Sequence, residues 1–149
     1  MESTEHHSAG KLITIITRQI NTYLQRTLQP FGIGPGQVSV LKYILENDGT
    51  TSKAIVEYFS LDKGSVSSLL GGLQSNGYII REVSGKDGRV SNIYASSKAR
   101  AIFPDIVSIY EGITTILLTG FKTDERTRAF DMLGRMFDNF AAFLDEKAQ

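Results

Sequence analysis

Leu61-Asp62-Lys63-Gly64-Ser65-Val66-Ser67-Ser68-Leu69-Leu70-Gly71-Gly72-Leu73-Gln74-Ser75-Asn76-Gly77 runs straight into Tyr78-Ile79-Ile80-Arg81-Glu82-Val83, and this stretch decides the fold. Val66, Leu69, Leu70 and Leu73 recur at i, i+3, i+4 and i+7, so the first part is a helix with one apolar stripe facing a core. Its start is written at Asp62, whose carboxylate can accept from a first-turn N–H, and its stop at Asn76-Gly77. The opposite face shows Gly64, Ser68, Gly71 and Ser75. Gly71-Gly72 weakens the helix by roughly 1 kcal/mol per glycine relative to alanine unless a close backbone approach offsets the loss. A nearby protein or nucleic-acid surface is one candidate.

After the stop, Tyr78–Val83 and Val90–Ala95 are rich in β-branched and aromatic residues and read as paired strands. Their connection, Ser84-Gly85-Lys86-Asp87-Gly88-Arg89, contains an Asp-Gly pair suited to a two-residue turn, and its two glycines also permit a longer loop. The tip carries Lys86, Asp87 and Arg89. Ser96 or Ser97 then caps a helix beginning near Lys98.

Working outward, Leu12, Ile16, Ile20, Tyr23, Leu24 and Leu28 mark a helix from about Ala9 to Gln29, ended by Pro30 and Gly32. Gly34-Pro35-Gly36 starts a second, with Val38, Leu41, Ile44 and Leu45 inward, which stops at Asn47-Asp48-Gly49. Thr51 or Ser52 caps a short third helix whose apolar side is Ile55, Val56 and Phe59. Helix, short turn, helix, hairpin is the order of a winged helix-turn-helix. Beyond it lie two long patterns: Ile102, Ile106, Ile109, Ile113 and Ile116, then Phe130, Leu133, Phe137, Phe140 and Leu144, which step at helix-seam spacing.

These stripes exceed what a domain of roughly 90 residues can cover, since small domains hide only about 60% of their chain surface. They predict burial against a second copy. The predicted class is therefore mainly α (α+β), a winged helix-turn-helix with long N- and C-terminal dimerisation helices. It divides into an N-terminal dimerisation helix over 1–32, a winged domain over 33–97 and C-terminal dimerisation helices over 98–149. No second independent domain is expected in 149 residues.

Formal charge is zero, but its distribution is uneven. Residues 53–103 carry Lys53, Lys63, Arg81, Lys86, Arg89, Lys98 and Arg100 against Glu57, Asp62, Glu82 and Asp87, whereas 104–149 are acidic on balance. Cysteine is absent, which excludes disulfides, thiolate metal sites and thiol switching. No signal-peptide layout and no apolar run long enough for a bilayer is present, so a soluble, cytoplasmic protein with no membrane partner is expected.

Catalytic chemistry finds no support. His6 and His7, the only histidines, lie in the first seven residues, away from any core that could hold a general base or metal cluster. Gly32-Ile33-Gly34-Pro35-Gly36 lacks the Lys-Ser/Thr of a phosphate loop and follows no strand. Ser65, Ser67 and Ser68 sit on a helix without a histidine partner, and Asp124-Glu125 reads as helix-end electrostatics. The expectation is no enzyme, no cofactor and no metal.

Taken together, Leu61–Ser67 leading to Leu73 and Gly77, then Arg81, Asp87-Gly88-Arg89 and Ser96-Ser97-Lys98-Ala99-Arg100, resemble the MarR family of dimeric winged-helix transcription regulators over nearly the whole chain. The resemblance implies a homodimer joined by its first and last helices, each recognition helix in a major groove. It places Arg89 in the adjacent minor groove, held by Asp87. Many relatives have arginine at the positions of Ser68, Gly72 and Gly88, so base readout is expected to be softer here. Lys63, Gly64, Ser65, Ser67, Ser68, Lys86, Asp87 and Arg89 are the expected DNA-binding residues, with the helix N-terminus near Lys63 favouring a phosphate.

The resemblance also implies release by a small aromatic or phenolic acid bound near Arg18 and Tyr110. Each of these has a plainer reading as well: a solvated or ion-paired helix face for Arg18, a core aromatic with its hydroxyl at the edge for Tyr110. The function expected is a repressor reading a pseudo-palindromic duplex. A winged-helix protein-interaction module without specific DNA binding is the alternative.

Overall fold

The computed structural model describes residues 8–84 and 90–147. Helix α1 spans Ala9–Thr27 and passes through a 3-10 turn, Gln29–Phe31, into α2, Pro35–Glu46. Strand β1, Thr50–Thr51, precedes α3, Ser52–Phe59, and α4, Lys63–Ser75; β2, Ile79–Ser84, and β3, Val90–Ala95, form the hairpin; α5, Ser97–Leu117, and α6, Thr123–Lys147, complete the chain. The winged helix-turn-helix order is thus the observed one, with the mainly helical, small-sheet class the sequence predicts. Two compact units, Met1–Tyr110 and Glu111–Gln149, share the chain, with α5 running from the first into the second.

In the first unit the predicted stripes meet in one core. Val66, Leu70 and Leu73 of α4, Val38, Leu41 and Ile44 of α2, Ile55 of α3 and Ile93 of β3 are all at most 1% exposed. Val40 is buried too, although the spacing does not mark it, because α2 packs against both α4 and β3 and so buries more than one face. Leu45, Val56, Phe59 and Leu69 lie at the margin of this core, half-buried.

The sheet has order β1-β3-β2, antiparallel throughout, with Ile79 opposite Ala95, Arg81 opposite Ile93 and Thr50 opposite Ile93 on the other side. Two-residue β1 carries no period of its own; its neighbour Asp48 holds it in place, Oδ1 accepting from the Ala95 N–H at 2.8 Å and Oδ2 from the Arg100 guanidinium at 2.5 Å.

Caps resolve the open alternatives. Thr51 caps α3, its hydroxyl accepting from the Ala54 N–H at 3.2 Å, and Ser96 caps α5 by accepting from the Ala99 N–H at 3.2 Å. Helix α1 ends two residues before the predicted Gln29, because Pro30 sits inside the 3-10 turn and Gly32, at φ +67°, reverses the chain. Between α3 and α4 the turn is made by Ser60 in the left-handed region, φ +51°, a conformation most residues avoid. The Asp87-Gly88 turn lies outside the described residues.

The helices at the chain ends leave apolar surface in the open. On α1, Leu12, Ile13, Ile15 and Ile16 are exposed while Leu24 is buried, followed by buried Leu28 just past the helix end. On α6 no described residue is buried, and Phe137 and Phe140 are 64% and 66% exposed.

Tyr78 joins α4 and β2 to the start of the domain. Its ring is 2% exposed, its hydroxyl donates to the Phe31 carbonyl at 2.6 Å, and Lys98 lies 4.4 Å over its face while donating to the Asn76 carbonyl at 2.7 Å. Burial pushes the phenol's pKa above its ordinary value. A group raised in this way stabilises the fold below the unfolded value, about 10, and loses that contribution as pH climbs through the folded one. Tyr78→Phe is expected to cost about 1 kcal/mol in urea unfolding at neutral pH and to flatten the loss of stability above pH of about 10. An unchanged alkaline limb would show that the hydroxyl has no such role.

Candidate nucleic-acid interface

The first turn of α4 is closed by its own cap. Asp62 Oδ1 accepts from the Ser65 N–H at 2.8 Å and Oδ2 from the Ser65 hydroxyl at 2.6 Å. These two bonds hold the carboxyl below its ordinary pKa, the hydroxyl contributing most and the backbone N–H next. The anion-favouring end of the helix therefore already holds a carboxylate. Ser65 has committed its hydroxyl proton, so it offers a ligand only an acceptor.

Further along, Gly64, Ser67, Ser68 and Ser75 are exposed, and the hydroxyls of Ser67 and Ser68 make no hydrogen bond among the described residues. The two interior glycines differ. A Cβ at Gly71 would meet nothing within 4 Å, whereas one at Gly72 would come within 2.2 Å of Gln37 Nε2. The close approach that Gly72 requires is thus internal, to α2, and needs no outside surface. A second small residue repeats the motif in reverse, since a Cβ at Gly36 of α2 would lie 3.2 Å from Leu69 Cδ2 of α4.

On the other flank of α4 lies a cleft of about 340 Å³ lined by Ser52 and Lys53 of α3, Lys63 and Ser67 of α4, Arg81 of β2, and Val56 and Val66 at its base. Three cations converge there from elements far apart in sequence. Lys53 is loosely paired with Glu57 at 3.8 Å, and Arg81 Nε is buried with no hydrogen-bond partner among the described residues. A buried guanidinium N–H without a partner carries a desolvation penalty.

Of the predicted site residues, Lys63 and Ser67 share the cleft, Gly64 and Ser68 lie on the open face, and Ser65 faces the cap. Lys86, Asp87 and Arg89 lie outside the described residues; the strands that carry them are in register up to the Ser84–Val90 pair. Ser52, Lys53, Arg81 and Gln37 are additions from the structure.

A family profile described as MarR family matches residues 31–90. An uncharacterized HTH-type transcriptional regulator of Bacillus subtilis, YwoH, is 30% identical over 132 residues, covering 88% of this chain and 91% of its own. The chain belongs to the MarR family. It is also similar to the crystal structure of a MarR transcriptional regulator from Methanosarcina mazei Go1, with TM-score 0.86 and 28% identity over 90% of this chain and 96% of that one. The same fold recurs in a putative MarR family transcriptional regulator from Listeria monocytogenes solved with a 26mer DNA, at TM-score 0.84 and 23% identity over 91% of each chain.

These MarR relatives are named regulators, not enzymes. No group of three or more His, Asp or Glu side chains able to hold a metal occurs among the described residues, and no described helix is long and apolar enough to cross a membrane.

Around the crevice expected for an effector, Arg18 is exposed on α1. Tyr110 holds α5 to α2: its hydroxyl shares a hydrogen bond with Ser39 Oγ at 3.1 Å, and Ser39 Oγ also donates to the Pro35 carbonyl at 3.1 Å.

The Asp62 clamp carries a pH signature. Because its folded pKa is depressed, its contribution is present above the ordinary aspartate range, about 3.9, and is lost as pH falls through the folded value. Asp62→Ala is expected to lower the thermal midpoint at neutral pH, with the gap to wild type closing in strong acid. A gap that is constant down to pH of about 2 would contradict the assignment.

Proposed function

We propose that this chain is a homodimeric DNA-binding transcription regulator that reads a pseudo-palindromic duplex. In this reading α4 enters the major groove and the β2–β3 wing reaches the adjacent minor groove through Arg89, with Asp87 and Lys86 beside it. The observation that carries this is the pairing of an open, hydroxyl-bearing face on α4 with a cleft of three cations at its flank, Lys53, Lys63 and the half-buried Arg81. Serine hydroxyls suit phosphates and base edges alike, and the cleft suits a backbone phosphate. Lys63 serves there by its side chain, since Asp62 already fills the helix end.

The open apolar faces of α1 and α6 support the division into dimerisation helices over 1–32 and 98–149 around a reading domain over 33–97. A second copy covering those faces sets two α4 helices about one helical turn apart, roughly 34–36 Å. Occupying a duplex is enough to exclude another protein from it, so repression asks nothing further of the fold. A small aromatic acid that acted as effector near Arg18 would compete with Ser39 for the Tyr110 hydroxyl. The alternative, a protein-interaction module, loses one of its grounds because Gly72 is explained by Gln37 within the chain.

Titration of a duplex of about 25 base pairs, enriched from a random pool, tests the reading. If each subunit neutralises about three to five phosphates, log affinity falls against log salt with a slope near −0.9 per phosphate. Arg81→Ala and Lys63→Ala each reduce that slope by about 1, and Arg89→Ala weakens binding by removing the minor-groove contact. No enrichment of any duplex, or variants that bind as wild type does, would overturn it.

A further inference from the structure

Gly72 leaves a gap on the reading helix, and a side chain from another helix fills it. Gln37 extends from the first turn of α2, and its Oε1 accepts from the Gly34 N–H at 2.9 Å, which fixes the carboxamide. Nε2 then sits where a side chain of residue 72 would begin. Gly72 follows Ser65 by seven residues and Ser68 by four, so the three positions form one row along the flank of α4 that packs toward α2. The amide nitrogen makes no hydrogen bond among the described residues, and Gln37 is only half-buried.

We propose that Gln37 is a DNA-contacting residue, delivering from α2 the donor that α4 lacks at position 72. This rests on the DNA-binding reading above. With Oε1 engaged by Gly34, the carboxamide presents N–H donors to a single acceptor, in contrast to the two-point pairing of a free glutamine with adenine. The acceptor is purine N7, guanine O6 or thymine O4 on a base edge, or a phosphate oxygen, and the test separates base from backbone. Gly72 acts only through Gln37: any side chain there moves the amide aside, and because the atom displaced is the end of a flexible chain, the helix itself is not disrupted.

Wild type, Gln37→Ala, Gln37→Glu, Gly72→Ala and the Gln37→Ala/Gly72→Ala double variant are each used to enrich random duplexes of about 25 base pairs, with thermal midpoints measured alongside. Gly72→Ala is expected to melt at or above wild type, because alanine favours the helix, yet to lose about 5- to 10-fold in affinity for the wild-type consensus. Gln37→Ala loses the same factor and Gln37→Glu more, and the double variant binds no worse than Gln37→Ala. Loss confined to one base pair per half-site identifies a base acceptor; equal loss on every duplex identifies a phosphate. Either supports the contact. Should wild type enrich a consensus that all variants bind equally, or the two single losses add in the double variant, the role of Gln37 is overturned while DNA binding stands. Should wild type enrich nothing, both fall.

Discussion

Helix α4 can bury only one narrow stripe, and everything else about this molecule follows from which stripe that is. Val66, Leu70 and Leu73 go inward, held by α2, α3 and β2, so the serines and glycines of the opposite face are left in the open. Two glycines set how closely α4 rests on α2: Gly36 admits the Leu69 methyl and Gly72 admits the Gln37 amide. Each lowers the helix-forming tendency of its segment, and tight packing across the pair offsets it. The far flank is then free to form the cleft with α3 and β2.

Charge is distributed by the same geometry. A chain of zero net charge has no long-range attraction for a polyanion, so any affinity must come from local convergence. Lys53, Lys63 and Arg81 are brought to one cleft from three elements. The helix N-terminus, which the sequence alone presents as the phosphate site, is satisfied internally by Asp62. That helix end is therefore closed by its own cap, and in the proposed function the cleft beside it is the place for a phosphate.

Most of the fold is legible in the sequence because its signals are local. The Asp62 cap, the Asn76-Gly77 stop, the apolar periods of α2 and α4 and the alternation around Ile79 and Ile93 each depend on neighbours within a turn or a strand. What escapes is what depends on distance along the chain. Strand β1 is two residues with no period, held by Asp48 bonds to Ala95 and Arg100 about fifty positions away. Gly72 looks like a platform for an outside surface until Gln37, thirty-five residues earlier, is seen to occupy it. The cleft joins residues 52, 53, 63, 67 and 81, none of which is distinctive alone; Arg81, a cation directly after the apolar pair Ile79-Ile80, is the one that could have pointed to it.

In the proposed function, pairing by symmetry would turn one open helix face into a reader of two half-sites, with the exposed apolar faces of α1 and α6 as the surfaces a second copy would cover. Because the chain has no cysteine, Ser68→Cys introduces a single thiol on the open face of α4, and a spin label there reports the separation of the two faces by dipolar coupling. A single distance distribution near one helical turn, roughly 34–36 Å and sharpened by added duplex, is the result the account predicts. Absence of coupling at any concentration, or a separation half a turn away from that spacing, would contradict it.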